Sequence, residues 1–148
     1  PGAERRTEGI GRRYGSVQRR RLEDVQLSGG KARTVRLLTR EDGMGFSLSD
    51  LTASAGAEAA LWYKNHWEAN YIVSGRGAVK EIATGKSWRL AAGTLYTVGP
   101  NDRHLVTVTD ELRIISVFSP PLMGNETTTR TVPIRQLARS RPAASACS

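Results

Sequence analysis

The stretch that decides the fold is LWYKNHWEANYIVSGRG at residues 61–77, taken with GTLYTVGPNDRH at residues 93–104. The run YIV in the first stretch is aromatic and β-branched, so it predicts a strand, and SGRG predicts the turn that ends it. The second stretch predicts a short strand at 95–98, followed by a GPND turn. Each stretch carries a polar side chain, Glu68 or His104, near a glycine turn. Two such units are what a small barrel needs to form a site in its mouth.

The same pattern continues on both sides of these stretches. Short apolar and β-branched runs, bounded by Gly, Pro, Asp or Asn, predict further strands at 34–40, 46–54, 78–83, 86–90, 105–108 and 112–118. A turn is predicted at 41–45 and a short connection at 55–60. Many short strands separated by turns predict an all-β barrel or sandwich.

The length of 148 residues favours one domain, and its positive charge lies at the two ends. Residues 1–40 hold 11 Lys and Arg against 4 Asp and Glu, whereas residues 41–120 hold 7 against 9. We predict a flexible basic extension at 1–16, a barrel at 17–126 and a partly disordered tail at 127–148, with a short helix at 135–139.

Composition limits the classes of partner and compartment. Basic arms can bind nucleic acid, but a solvated tail is the commoner outcome, so nucleic acid is not the expected partner. No long apolar window and no secretory signal are visible, so we expect no membrane span. A lone Cys147 excludes an intramolecular disulfide and favours the cytoplasm. The chain begins at Pro1 and not at Met, which fits a fragment, a processed form or an extended reading frame.

The spacing of the two stretches resembles the cupin signature. Glu68 stands three residues before the YIV run and its Gly-x-Gly, and Gly93 precedes a short strand, a Pro-containing turn and His104. The resemblance implies a cupin-type β-barrel. Leu61 and Tyr63 occupy the two positions where most cupins carry His, so the common three-His-one-Glu metal site is not expected.

Longer motifs resemble the ectoine synthases, a family of cupin-fold enzymes. They are DGMGFS at 42–47, WYKNH at 62–66, DRH at 102–104 and VFSPPL at 117–122, and the resemblance covers roughly residues 22–126. It implies a cyclising hydro-lyase that converts N-γ-acetyl-L-2,4-diaminobutyrate to ectoine, a compatible solute made under osmotic stress. It also implies a homodimer.

The resemblance implies a metal centre and a substrate site. The family's iron ligands, a Glu, a Tyr and a His, fall on Glu68, Tyr96 and His104, and oxygen and nitrogen donors suit Fe(2+) or another divalent ion. Tyr63 and His104 fall on catalytic positions, and Tyr63, Phe118 and Glu126 fall on substrate-binding positions.

Each of these residues also has a plain structural interpretation. By residue type alone, Glu68 could be a surface carboxylate and Tyr96 a core aromatic. His104 could be an exposed turn residue, Phe118 could belong to the barrel core, and Glu126 could be a solvated loop charge. His66 is expected to have a structural role.

Three positions depart from the family pattern. Ala32 stands where a Trp is expected, Leu51 where a Thr is expected, and Ser116 where a Cys is usual. The first two departures remove contacts to the substrate, one aromatic and one hydrogen-bonding. Two alternative functions therefore stay open: a cupin metalloenzyme acting on another small amide or amino acid, and a non-catalytic cupin binding module.

Overall fold

The computed structural model of the chain describes residues 24–27 and 31–123. Within them the chain forms a 3-10 helix at Arg40–Asp42 and eight strands: β1 (Asp24–Leu27), β2 (Ala32–Leu38), β3 (Ser47–Ala53), β4 (Glu58–Trp62), β5 (Trp67–Glu81), β6 (Ser87–Ala91), β7 (Leu95–Val98) and β8 (Arg103–Ser119). The all-β prediction is confirmed. The domain limits at 17 and 126, the two end segments and the helix at 135–139 lie outside the described residues and stay predictions.

Two long antiparallel strands, β5 and β8, form the centre of the sheet, whose order is β1-β2-β3-β8-β5-β6. Besides pairing with each other, each of these two strands pairs with one flanking strand along its first part and with another along its later part. The first part of β8 pairs with β4 and its later part with β3, while β5 pairs first with β7 and then with β6. The strands β3, β4, β6 and β7 thereby flank one long central pair, which gives the layered arrangement of a jelly roll.

The glycines at 74–77 do not end a strand, so the turn predicted there is wrong. β5 continues through them and keeps its pairing with β8 across register shifts between Ile72 and Gly77. A Cβ at Gly75 would lie 1.9 Å from the Glu111 carbonyl oxygen, and Gly75 has a φ of +90°. Glycine is required here because the two strands approach too closely for a side chain, and bulges of this kind bend a strand.

Other strand limits also differ from the sequence prediction. Residues 61–77 are divided, because β4 ends at Trp62 and β5 begins at Trp67. The predicted connection at 55–60 already contains the start of β4. The two strands predicted at 105–108 and 112–118 are one strand, β8. Asp110, between the two predicted strands, still pairs with Arg76 on β5.

Side-chain alternation places the core on one face of the sheet. Buried apolar residues from most strands form one cluster: Ala32, Ala53, Ala57, Ile72, Val79, Leu90, Val106, Val108, Leu112 and Ile114. Along β5, Glu68, Asn70 and Ile72 are buried, whereas Trp67 before them and Tyr71 between the last two are exposed, as the period of two requires. In the part of the chain that the structure describes, no helix has the length and apolar character needed to cross a membrane.

Candidate active site

Three strands carry Glu68, Tyr96 and His104 to the inner face of the barrel. Glu68 lies near the start of β5, Tyr96 lies in β7, and His104 lies at the start of β8. Tyr96 is paired with Asn70, two residues after Glu68. Because strand side chains alternate, Tyr96 and Glu68 face the same side. Glu68 and His104 are only 4% and 3% exposed.

The structure brings the carboxylate and the imidazole face to face. Glu68 Oε2 lies 3.7 Å from His104 Nε2, which is too long for a hydrogen bond. Among the described residues, neither of these two atoms has a hydrogen-bond partner. Buried polar atoms in proteins are normally paired, so two facing unpaired atoms are what a site built for a bound group presents.

Burial sets the protonation of this pair. It raises the pKa of Glu68 from 4.5 to about 7, although the hydrogen bond from Asn70 opposes the rise. Burial also lowers the pKa of His104 from 6.5 to about 4, against the opposing effect of Asp102. His104 is therefore neutral at neutral pH, so the two side chains do not form an ion pair, and a neutral imidazole can donate its lone pair to a metal.

The third donor candidate is the phenol of Tyr96. Its ring centroid lies 6.3 Å from that of His104. Burial raises the pKa of Tyr96, and the charges of Glu68 and Tyr63 raise it further. Across residues 24–27 and 31–123, no group of three or more His, Cys, Asp and Glu could hold a metal ion. At this place the described residues offer two such side chains, Glu68 and His104, with the Tyr96 phenol as a neighbouring oxygen donor.

The sequence analysis missed Asn70, which lies next to Glu68, and noted Ser116 only as a departure from the family pattern. Asn70 Nδ2 donates a hydrogen bond to Glu68 Oε1 at 2.9 Å, and the Ser116 hydroxyl donates to Asn70 Oδ1 at 2.6 Å. The signal available was an Asn two residues after Glu68 and two before Ile72, hence on the same face of the strand. Its partner on β8 could not be identified without the register.

A loop between β4 and β5 carries Tyr63 and His66 over the same end of the barrel. The Tyr63 ring lies 4.8 Å from Phe118 and 6.2 Å from His66, centroid to centroid. Phe118 is buried and pairs directly with Glu68. His66 Nδ1 lies 2.8 Å from the Pro120 carbonyl oxygen, which can only accept, so this nitrogen carries the proton. His66 thus fastens the loop to the segment after β8.

Two of the positions that depart from the family pattern lie together in the structure. Ala32 on β2 and Leu51 on β3 both line an apolar cavity of about 50 Å³ that also borders Tyr96. Ala32 is buried, so an indole at this position would overfill the cavity unless β2 moved. Glu126 lies outside the described residues.

A larger cavity, of about 460 Å³, reaches Tyr96 and His104 from the side of β6 and β7. Its walls include the apolar side chains of Val79 and Leu90 and the charged side chains of Glu81 and Arg103. The volume lies in the range that binds small molecules.

Sequence comparison identifies the family. The family model described as ectoine synthase matches residues 17–132. The chain belongs to the ectoine synthase family. It is 43% identical over 103 residues to an L-ectoine synthase of Desulfatibacillum aliphaticivorans, covering 70% of this chain and 79% of the relative. It is 38% identical over 112 residues to an L-ectoine synthase of Halalkalibacterium halodurans, covering 72% and 87%.

Structural comparison agrees with the ectoine synthase assignment. The crystal structure of ectoine synthase from P. lautus superposes with a TM-score of 0.63 at 37% identity, over 68% of this chain and 71% of that one. The cupin domain of Schizosaccharomyces pombe Cnp3 superposes with a TM-score of 0.56 at 16% identity, over 66% and 68%, and shows the fold alone. The predicted cupin-type fold is confirmed.

Proposed function

We propose that this protein is an L-ectoine synthase that closes N-γ-acetyl-L-2,4-diaminobutyrate to ectoine with loss of water. The amine nitrogen at C2 attacks the acetamide carbonyl carbon, and a carbon–nitrogen bond closes a six-membered ring. The carbonyl oxygen leaves as water with two protons from the nitrogens, and a carbon–nitrogen double bond remains. The observation that carries the proposal is the family match over residues 17–132, which spans every residue of the site described above.

The barrel supplies the conditions that this ring closure needs. The attacking amine and the acetamide carbonyl belong to one molecule, so holding that molecule folded removes much of the entropic barrier to ring closure. The ring pair of Tyr63 and Phe118 forms a wall beside the buried Glu68. An apolar wall excludes bulk water, which would otherwise favour the reverse hydrolysis.

The residues present fit a divalent metal, and we propose Fe(2+) or another divalent ion. Two donors that each lie about 2.0–2.2 Å from an ion are about 3–4 Å apart. The 3.7 Å between Glu68 Oε2 and His104 Nε2 matches this spacing, and neither atom has a hydrogen-bond partner within the described ranges. We assign Glu68, Tyr96 and His104 as the ligands. When bound, the ion supplies Lewis acidity that polarises the amide oxygen.

Two residues are proposed for catalysis. The Tyr63 phenol can donate and accept a proton, and its position on the loop beside Phe118 suits a group that orients the substrate or moves a proton. His104 acts through its neutral imidazole as a ligand. Phe118 and Glu126 are proposed to contact the substrate together with Tyr63, Phe118 as part of the wall.

A direct assay tests this function. Iron-loaded protein is incubated with the acetylated diamine, and cyclic product is followed by chromatography. We expect product from the wild type and none above background from Glu68→Gln, a near-isosteric change. A wild type that binds iron but forms no ectoine would contradict the proposal, and turnover of a related acetylated diamine instead would point to the alternative substrate class.

We also propose a homodimer that acts in the cytoplasm, where the lone Cys147 would stay reduced. The outer face of β5 and β7 exposes Trp67, Tyr71 and Leu95, which are 60%, 47% and 64% exposed. Tyr71 pairs directly with Leu95, and Trp67 lies on the same face of β5, four residues before Tyr71. Such surfaces are typical of interfaces, and a second copy would cover it.

Light scattering tests the dimer. We expect twice the chain mass at micromolar concentration, and half that mass for Leu95→Asp. Ala83→Asp, in the exposed turn between β5 and β6, is the matched control and should stay dimeric. A monomeric wild type would rule out the dimer.

A further inference from the structure

A buried chain of hydrogen bonds ends on the carboxylate of Glu68. The Ser116 hydroxyl donates to Asn70 Oδ1 at 2.6 Å, and Asn70 Nδ2 donates to Glu68 Oε1 at 2.9 Å. Asn70 is 2% exposed and Ser116 is 6% exposed. The strands that carry them, β5 and β8, place these two residues directly opposite each other.

The direction of these bonds is fixed by chemistry. With a metal bound, the Glu68 carboxylate is ionised and can only accept, so the Asn70 amide must present its NH₂ group to it. The amide carbonyl oxygen then faces β8, where the Ser116 hydroxyl acts as donor. The carboxylate thus selects the amide orientation, and the Ser116 hydroxyl, which can donate or accept, stabilises it by donating to Oδ1.

The chain leaves the two carboxylate oxygens of Glu68 in different situations. Oε1 accepts from Asn70, whereas Oε2 has no hydrogen-bond partner among the residues that the structure covers and faces His104 Nε2 at 3.7 Å. We propose that Asn70, held by Ser116, is a positioning residue that holds Glu68 so that Oε2 alone is offered to the metal. This inference rests on the metal site proposed above.

The pairing pattern separates this role from simple packing. Ser49, Ser116, Asn70 and Tyr96 lie side by side on β3, β8, β5 and β7. Asn70 therefore lies between Ser116, which donates a hydrogen bond to it, and β7, the strand that carries Tyr96. An apolar residue could fill the same volume, but it could not distinguish Oε1 from Oε2.

Cobalt(II), whose absorption bands report its coordination, is the probe for the test. Metal affinity is measured by chelator competition for wild type, Asn70→Leu, Ser116→Ala and the double variant. We expect about 10- to 100-fold weaker binding for Asn70→Leu and a smaller loss for Ser116→Ala, as for other partners of metal ligands. We also expect altered absorption bands in both. The double variant should bind cobalt no more weakly than Asn70→Leu alone, because Ser116 acts through Asn70.

Two further variants control for loss of a buried hydroxyl. Ser49→Ala removes a hydroxyl from the position paired with Ser116 and should keep wild-type affinity and spectrum. Ser116→Thr keeps the donor and should bind cobalt more tightly than Ser116→Ala. Thermal unfolding of each metal-free variant separates a stability loss from a positioning loss, and the Ser116 pair decides the matter if Asn70→Leu does not fold.

The outcomes distinguish this inference from the function on which it rests. Unchanged affinity and bands in Asn70→Leu or Ser116→Ala, with binding lost in His104→Ala, would overturn the positioning role and leave the metal site standing. A lower unfolding temperature without any change in affinity or bands would overturn it as well. A wild type that binds no cobalt would overturn both the inference and the metal assignment.

Discussion

Replacing Glu68 by Gln should stabilise the metal-free protein at high pH. Burial raises the pKa of this carboxyl from 4.5 to about 7, so the folded protein keeps the proton over a range where the unfolded chain has released it. The free energy of unfolding of the wild type therefore falls as pH rises from about 4.5 through 7. Gln is neutral throughout, and its carbonyl oxygen can accept the same hydrogen bond from Asn70.

The size of the effect follows from the pKa shift. Each pKa unit corresponds to about 1.4 kcal/mol, so the full shift gives about 3 kcal/mol above pH 7 and close to zero at pH 4.5. For a domain of this size, 3 kcal/mol corresponds to a Tm increase on the order of 10 °C. The depressed pKa of His104 changes the free energy of unfolding of both proteins equally, so it cancels in the difference between them.

Urea unfolding of chelator-treated protein at pH 4.5 and pH 8 measures this difference. Glu111→Gln, on an exposed carboxylate of β8, is the control and should change stability by less than about 0.5 kcal/mol at either pH. Saturating metal should reverse the order at pH 8, because only the wild type gains binding free energy. Equal stability of wild type and Glu68→Gln at pH 8 without metal would refute the reasoning.

Three other changes test separate parts of the site. His104→Ala should abolish stoichiometric iron binding in equilibrium dialysis. The control His66→Ala should retain it, because His66 bonds the Pro120 carbonyl. Full iron occupancy in His104→Ala would count against His104 as a ligand. Tyr63→Phe should lower kcat by about 100-fold with iron affinity unchanged, since it removes only the hydroxyl, and an undiminished kcat would exclude proton transfer by Tyr63. Leu51→Thr should raise kcat/KM by up to about tenfold if its hydroxyl gains a hydrogen bond to the substrate, and no gain in steady-state assays would indicate that this position does not face it.

The fold could be predicted because its signals are local. The alternation of apolar and polar residues and the Gly and Pro turns are properties of neighbouring residues, so β3, β6 and β7 appear within a residue or two of their predicted limits. The glycines at 74–77 were misinterpreted for the same reason. A glycine that ends a strand and one that lets two strands approach look alike in sequence, and only Glu111 on β8 distinguishes them.

The sequence by itself determined the family, because its motifs are linear properties of the chain. The spacing of Glu68, Tyr96 and His104 is likewise linear, and on it rests the proposal that they are the ligands. Only the tertiary structure decided which atoms meet. Ser116 reaches Asn70 across 46 residues because β5 and β8 pair these two residues directly. Glu68 faces His104 although His104 pairs with Glu81 at the far end of β5, so the curvature of the barrel brings the two side chains together. Register depends on the sum of all contacts along both strands, and a shift of one residue would turn every one of these side chains to the opposite face.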